Sequence, residues 1–187
     1  MGSTSPTTAD AATAQSGTTT LMVNMPEYIV LHYYSGINLN FTATSANTSE
    51  ASSTLTPTWT ATGDSVQTLA ASATEVGPAT MNVTLKNAWA IAGLSSAGTA
   101  TVAITGTDFS ATRSTSSSII AASDYQVASS QGVGASDKAG AASITTYLRG
   151  VSGQTQTVGD VKMKLNFSNT TESGAHKGTF TITATTI

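Results

Sequence analysis

The side chains that could carry acid-base or metal chemistry are few in this chain of 187 residues, which has two histidines, ten acidic residues and no cysteine. His32 lies inside the most apolar stretch, and His176 lies in a polar segment next to Lys177. A zinc site needs three or four His, Cys or carboxylate ligands at short spacings. A serine hydrolase needs a nucleophile on a sharp turn between a strand and a helix. Neither pattern is present, so we expect His32 to be a packed strand residue and His176 a solvated turn residue.

The acidic residues and glycines form no recognisable site either. The ten carboxylates are dispersed singly along the chain, whereas a calcium loop and a glycosidase both group them. Gly132-Val133-Gly134 resembles part of a phosphate-binding loop, but the second half of that motif is missing and no helix is expected to follow it. The sequence therefore predicts no catalytic, metal or cofactor site, and we expect that the protein is not an enzyme.

The aromatic residues allow two interpretations. Two tryptophans and five tyrosines could form a carbohydrate-binding platform. More often such residues anchor a core or an interface. Trp89 follows an alternating strand and shares its parity with Ile91, so we expect Trp89 in the core.

Composition separates this chain from several classes of protein. It has 36 Thr, 25 Ser and 28 Ala, while only 9% of its residues are charged. The seven basic residues are scattered, which argues against a nucleic-acid surface. No run approaches the roughly 20 apolar residues of a membrane helix, so we expect no membrane span. Surface charge keeps soluble domains from associating. Because this chain has few charged residues, its surface is suited to contacts with other subunits.

A period of two is the main structural signal, because it places apolar side chains on one face of a strand and polar ones on the other. Residues 27–34 form an apolar strand, and residues 37–43 alternate as a half-buried antiparallel strand should. The same alternation recurs on Met81/Val83/Leu85, Ala100/Val102/Ile104, Val161/Met163/Leu165/Phe167 and Phe180/Ile182/Ala184. These segments predict an all-β sandwich or barrel.

Glycine-rich and polar pairs mark the expected turns between these strands. They are Gly63-Asp64, Gly77-Pro78, Ala97-Gly98, Gly159-Asp160 and Glu172-Ser173-Gly174. Residues 128–157 are less regular, and we expect a long loop or a weak edge region there around a short strand at residues 143–148.

The N-terminal segment differs from the rest of the chain. Its first 20 residues are small and polar, and then Leu21, Val23 and Met25 alternate as the inward face of a strand. A segment of this kind can complete the open sheet of another chain, with its alternate side chains filling pockets. We therefore expect an N-terminal arm and donor strand at residues 1–26 and a β-sandwich domain at residues 27–187.

Three segments of the chain carry a common pattern, and they are TTTLMVNMPEYIVLHYYSGINLNF, MNVTLKNAWAIAGLSSAGTATVAIT and GDVKMKLNFSNTTESGAHKGTFTITATTI. Together they resemble the major subunits of donor-strand-assembled fimbriae, in particular the cysteine-free fimbrillins of the alpha and common-pilus chaperone-usher types. The resemblance implies an incomplete immunoglobulin-like β-sandwich that a neighbouring subunit completes with its donor strand. It also implies head-to-tail polymerisation and export through a periplasmic chaperone and an outer-membrane usher. The chain lacks the disulfide and the penultimate C-terminal tyrosine of the best-known pilins.

The function expected from these features is that of the major structural subunit of an extracellular, cell-surface fimbria that supports adhesion or biofilm formation. Its partners would be identical subunits, and export would use a cleaved signal peptide that this chain does not show. Leu21, Val23 and Met25 are the expected pocket fillers. The candidates for the acceptor groove and core are Ile37, Leu39, Phe41, Val161, Met163, Leu165, Phe167, Phe180 and Ile182.

Two other functions stay open from the sequence. One is a monomeric surface adhesin or carbohydrate-binding β-sandwich module, for which the arm would be dispensable. The other is a secreted hydrolase, which would need His32 or His176 near an acid in a cleft.

Overall fold

The described residues of the chain fold mostly into β-strands. A computed structural model describes residues 16–41, 54–55, 68–73, 80–151 and 156–187. The elements are β1 (Tyr28–Tyr33), β2 (Gly36–Phe41), β3 (Thr54–Leu55), β4 (Thr68–Ala73), β5 (Thr80–Leu94), β6 (Thr99–Gly106), β7 (Phe109–Ala111), β8 (Ile119–Ala128), α1 (Ala135–Ala139), β9 (Ser143–Tyr147), β10 (Thr157–Asn166), β11 (His176–Lys177) and β12 (Phe180–Thr186). The all-β class expected from the alternation is therefore confirmed. Within the described ranges no helix has the length and apolar character needed to cross a bilayer.

In the described part of the chain the strands form one sheet of seven strands, one of three and one of two. The large sheet has the order β1-β5-β10-β8-β7-β11, with β3 also beside β5, and the small sheet has the order β12-β6-β9. Neighbours in both are antiparallel, except that β3 runs parallel to β5. The predicted antiparallel pairing of residues 37–43 is wrong, because β2 pairs with β4 in parallel. A period of two indicates which face of a strand is buried, but it does not specify the direction of the partner.

The core lies between the large and small sheets and is built from the alternating positions. Its buried apolar side chains include Met81, Val83, Leu85 and Ile91 of β5, Val102 and Ile104 of β6, Ile144 of β9, and Val161, Met163 and Leu165 of β10. The inward faces predicted for β5, β6 and β10 are thus confirmed. Trp89, predicted in the core, is also fully buried.

Gly159-Asp160, predicted as a turn, instead lies within β10 at a shift of register opposite β5. The glycine serves close packing. A Cβ at position 159 would lie 1.9 Å from Cζ2 of Trp89 and 2.6 Å from the carbonyl oxygen of Ala128. The Trp89 indole N–H donates to the Asp160 carbonyl at 3.1 Å. The absence of a side chain at Gly159 therefore lets the Trp89 ring lie across β10.

The loop after Gly132-Val133-Gly134 contains α1, so the prediction that no helix follows these glycines is wrong. One carboxylate organises this short helix. Asp137 accepts hydrogen bonds from the Gly134 N–H at 2.7 Å and from the Thr145 N–H at 3.1 Å. The helix has five residues and buries none of them, so no apolar periodicity could reveal it. The short strand predicted at residues 143–148 is confirmed as β9.

Two of the predicted turns are confirmed. Gly98 has a φ of 68° and its N–H donates to the Ser95 carbonyl at 3.2 Å. Gly174 has a φ of 108° in the loop after β10, a backbone region that glycine adopts at little cost. The turns predicted at Gly63-Asp64 and Gly77-Pro78 lie outside the described residues, as does Trp59.

Hydroxyl groups connect the two sheets. The buried Thr157 hydroxyl of β10 donates to the Tyr147 carbonyl of β9 at 2.6 Å. The Tyr125 hydroxyl of β8 donates to the carbonyl of Thr107, just after β6, at 2.7 Å. Burial, and in second place the negative charge of Asp108, raise the pKa of Tyr125 to about 12. These neutral hydrogen bonds set the spacing of the sheets at two points.

Candidate functional site

The described part of the arm, residues 16–26, contains no strand or helix. The strand predicted at Leu21, Val23 and Met25 is therefore absent from the isolated chain, because an extended segment becomes a strand only when a partner satisfies its backbone groups. These three side chains and that of Met22 are exposed to solvent. Their exposed fractions are 83% for Leu21, 78% for Met22, 69% for Val23 and 67% for Met25. Four large apolar side chains exposed in one short segment are typical of a binding surface.

The arm leaves the domain at a fixed point, where Glu27 contacts two neighbouring elements. One carboxylate oxygen accepts from the Ser96 N–H at 3.0 Å, and the other accepts from the Thr186 hydroxyl at 3.4 Å. The bond from the Ser96 backbone is the main cause of a lowered pKa for Glu27. The root of the arm thus lies between the β5–β6 turn and the end of β12.

The two edges of the small sheet differ. The β9 edge is covered, since the Val133 N–H donates to the Thr145 carbonyl at 2.9 Å and the Tyr147 N–H donates to the Gln131 carbonyl at 3.1 Å. Within the described part of the chain no strand pairs with the outer side of β12. An unpaired edge is a template for another strand.

The hydrogen bonds of β12 show which residues face this uncovered edge. The Ile187 N–H donates to the Thr99 carbonyl at 3.1 Å, and the Thr107 N–H donates to the Thr179 carbonyl at 2.9 Å. Hydrogen-bonded pairs alternate along an antiparallel ladder, so the odd-numbered residues of β12 bond to β6. The even-numbered residues, which include Ile182 and Ala184, direct their backbone N–H and C=O groups outward.

Two apolar cavities lie beside this edge, and we call them together the β12 groove. The first has a volume of about 340 Å³ and is lined by Leu31, Tyr33, Tyr34, Ala88, Phe180, Thr181 and Ile182. The second has a volume of about 500 Å³, and its apolar lining includes Ile37, Leu39, Leu85, Phe109, Ile120, Met163, Leu165 and Phe180. Phe180 borders both. The first cavity therefore lies between β1 and β12, while the second is bordered by β2, β5, β7, β8 and β10 and contacts β12 only at Phe180.

Most of the residues predicted for an acceptor groove border this one. They are Ile37, Leu39, Met163, Leu165, Phe180 and Ile182. Val161 is fully buried in the core, and Phe167 is half-buried and packs against the core after the end of β10. Phe41 is the last residue of β2, and its side chain lies outside the description.

Sequence reasoning missed other groove residues, chiefly Leu31, Tyr33, Phe109 and Ile120. Leu31 and Tyr33 share one face of β1, and this parity could have separated them from Val30 and His32. Phe109 lies in the three-residue strand β7, which is too short for a pattern. Ile120 follows another isoleucine, so its sequence gives no alternation to read.

His176 is half-buried in β11 and hydrogen-bonded, so the prediction of a solvated turn residue is wrong. Its Nδ1 lies 3.1 Å from the Gly174 carbonyl and its Nε2 lies 2.9 Å from the Ser118 hydroxyl. Since the carbonyl can only accept, Nδ1 carries the proton and Nε2 accepts from Ser118. That hydroxyl also accepts from the N–H groups of Thr171 and Glu172 at 3.0 and 3.2 Å. Ser118 is only 1% exposed, and this cluster anchors the loop beside the groove.

The other histidine fits its predicted role as a packed strand residue. His32 is half-buried in β1, and its Nε2 lies 3.2 Å from the side-chain amide nitrogen of Gln156. Among the residues that the structure describes, no three His, Cys, Asp or Glu side chains group in a way that could hold a metal ion.

No protein-family model matches the chain, and neither the curated proteins nor the solved structures give a match.

Proposed function

We propose that this chain is the structural subunit of an extracellular filament, in which the arm of one subunit adds a strand to β12 of the next. The observation that carries the proposal is that the same chain has both an exposed apolar arm and an apolar groove beside an uncovered strand edge. The arm and the groove each lack a partner that the other could provide. The apolar side chains of the arm could pack against the apolar walls of the groove, and the backbone groups of the arm could pair with those at the outer edge of β12.

The dimensions of the two parts are compatible. β12 has seven residues and spans roughly 23 Å at about 3.3 Å per residue. The nine residues from Gly17 to Met25 would span roughly 30 Å when extended. With a period of two, Leu21, Val23 and Met25 all point to one side of such a strand, toward the groove. The arm is therefore long enough to cover the whole edge of β12.

The partner in this proposal is a second copy of the chain. The apolar side chains of the arm are mostly exposed in the isolated subunit, so the arm does not fill its own groove. Glu27 holds the root of the arm at one end of β12, and the described residues of the arm, 16–26, are all exposed. A subunit that donates at one surface and accepts at another makes a heterologous contact, and repetition of that contact produces an open fibre.

The resemblance to fimbrillins extends this proposal to an immunoglobulin-like sandwich, a chaperone-usher export route and a role in adhesion or biofilm formation. The alternative of a carbohydrate-binding module has less support. The exposed tyrosines of the chain are dispersed, because Tyr28 and Tyr33 lie on opposite faces of β1 and Tyr147 lies on the small sheet. They form no single aromatic platform.

The proposal is tested with two half-defective subunits. Val23→Asp places a charge on the inward side of the arm and produces an acceptor-only subunit. Ala184→Pro removes an N–H from the uncovered edge of β12 while the bonds to β6 stay, so it produces a donor-only subunit; proline is tolerated at such an edge. We expect each variant alone to be monomeric, and an equimolar mixture to form one-to-one dimers that grow no further, by sizing chromatography with light scattering.

The matched control for the first variant is Asn24→Asp, which puts the same charge on the outward side of the arm and should leave polymerisation intact. Wild-type chain should form filaments visible by electron microscopy. A wild-type chain that stays a monodisperse monomer at every concentration would contradict the proposal and favour the adhesin alternative. Normal filaments from Val23→Asp would contradict it as well.

A further inference from the structure

The outward face of the small sheet consists mainly of hydroxyl-bearing side chains, with Ala103 among them, and we call it the hydroxyl face. The strand registers align these side chains in rows across β12, β6 and β9. One row is Thr185, Thr101 and Thr145, and the next is Thr183, Ala103 and Ser143. The side chains that alternate with them, among them Val102, Ile104 and Ile144, are buried in the core. The rows therefore point away from the core.

The hydroxyl face carries no charge. The three strands of seven, eight and five residues contain no Asp, Glu, Lys, Arg or His. The arm segment from Ser16 to Met25 has none either. If the arm adds to β12 as proposed, it lengthens the sheet to four strands without adding charge. The desolvation free energy of such a surface is small, because a threonine hydroxyl costs far less free energy to desolvate than an ion does.

We propose that the hydroxyl face binds the hydroxyl face of a second copy in a neighbouring filament, so that filaments associate side by side. This proposal rests on the proposed function for its filaments. Tyr147 lies at one end of the face with 48% of its surface exposed, and tyrosine is a frequent anchor of interfaces. The covered edge of β9 prevents strand addition on that side, which leaves the face itself for the contact.

The area of the face explains why the contact would join filaments and not single subunits. Four strands about 4.8 Å apart and roughly 23 Å long cover about 440 Å². A stable pair of proteins buries about 800 Å² on each partner. One such contact is too small to hold a dimer, but contacts repeated along two filaments act together and raise the overall affinity.

The test uses full-length chain attached through its N-terminus, at high density, to micrometre-sized particles. Every chain carries Val23→Asp, so arm donation cannot join the particles. We expect particles coated with this variant to clump, as measured by light scattering, and to clump equally in low and high salt, because no ion pairs are involved. Adding Ser143→Lys and Thr183→Lys, which charge one row of the face, should reduce clumping at least tenfold.

Two controls separate the face from general effects. Ser114→Lys with Thr115→Lys adds the same charge in the loop between β7 and β8 and should leave clumping unchanged. Tyr147→Ala should weaken clumping, whereas Tyr28→Ala, which removes a tyrosine of similar exposure (47%) from the large sheet, should not. Clumping that survives the lysines on the face, or particles that never clump, would overturn the proposal. Polymerisation of the wild-type chain is measured separately, so failure of the filament proposal is distinguishable from failure of this one.

Discussion

The large and small sheets share one core but present different surfaces. The large sheet carries charged residues on several strands, including Lys86, Asp160, Lys162 and Lys164. The three strands of the small sheet carry none. Charge costs free energy to bury, so the large sheet is suited to remain in contact with water. The strands without charge are therefore in the small sheet, where, among the described residues, no strand pairs with the outer side of β12.

The two sheets are also stabilised differently. The centre of the large sheet depends on specific contacts between side chains. Asp160 pairs with Lys86 at 2.7 Å and accepts from the Asn87 N–H at 3.0 Å, where Asn87 has a φ of 52°. The strands of the small sheet carry no charged residue that could pair in this way, and backbone ladders join them. Substitutions on the outer face of the small sheet should therefore lower the free energy of unfolding less than substitutions at the centre of the large sheet.

Gly159→Ala should have the largest effect of the stability changes considered. Its Cβ would overlap the Trp89 ring at 1.9 Å and the Ala128 carbonyl at 2.6 Å, and neither can move without disturbing β5 or β8. We expect the free energy of unfolding to fall by about 3 kcal/mol, the upper range for overpacking a core. Urea denaturation followed by tryptophan fluorescence measures this loss.

Ala103→Val is the matched control in the small sheet, since it adds two methyl groups at an outward strand position. It should change the free energy of unfolding by less than about 0.5 kcal/mol, as surface substitutions usually do. Equal losses from the two variants would show that the small sheet is as tightly constrained as the large one.

The sequence predicted the inward faces of the strands well, because burial alone determines a period of two. Met81, Val83 and Leu85 alternate strictly and are all buried. The partners of each strand were not predictable in this way. β10 lies between β5 and β8, and this order depends on contacts such as Trp89 with Gly159, which are 70 positions apart in the chain and leave no local pattern.

The candidate site was predictable to a similar extent. Alternation identified Phe180 and Ile182 as groove candidates, and the arm was recognisable from its change in composition. The strand predicted in the arm does not form, because no described strand pairs with residues 16–26. The hydrogen bond between His176 and Ser118 joins residues 58 positions apart. The sequence around neither residue indicates this contact.

A second prediction concerns the junction of the two sheets at Thr157. Thr157→Val keeps the shape of the side chain but removes the donor to the Tyr147 carbonyl, so that this part-buried hydrogen bond is lost. We expect a loss of about 1–2 kcal/mol in the free energy of unfolding, the usual cost of an unsatisfied buried group. The control is Thr183→Val on the hydroxyl face, which should be nearly neutral by the same denaturation. A loss at Thr183 equal to that at Thr157 would contradict the idea that the junction, and not the outer face, needs its hydroxyls.

The smallest expected effect is a pH dependence at the other junction, where Tyr125 donates to the Thr107 carbonyl. Because the folded protein raises the pKa of Tyr125 to about 12 from an ordinary value of 10.0, it favours the neutral phenol. The resulting stabilisation is complete below pH 10 and is lost as the pH rises through about 12. Solvent around this half-buried ring should keep the loss below about 1 kcal/mol. Tyr125→Phe cannot ionise, so its stability should fall less steeply between pH 10 and 12 than that of the wild type. Parallel pH profiles would show that the phenol ionises equally in the folded and unfolded chains, and that this hydrogen bond does not contribute to holding the charged sheet against the uncharged one.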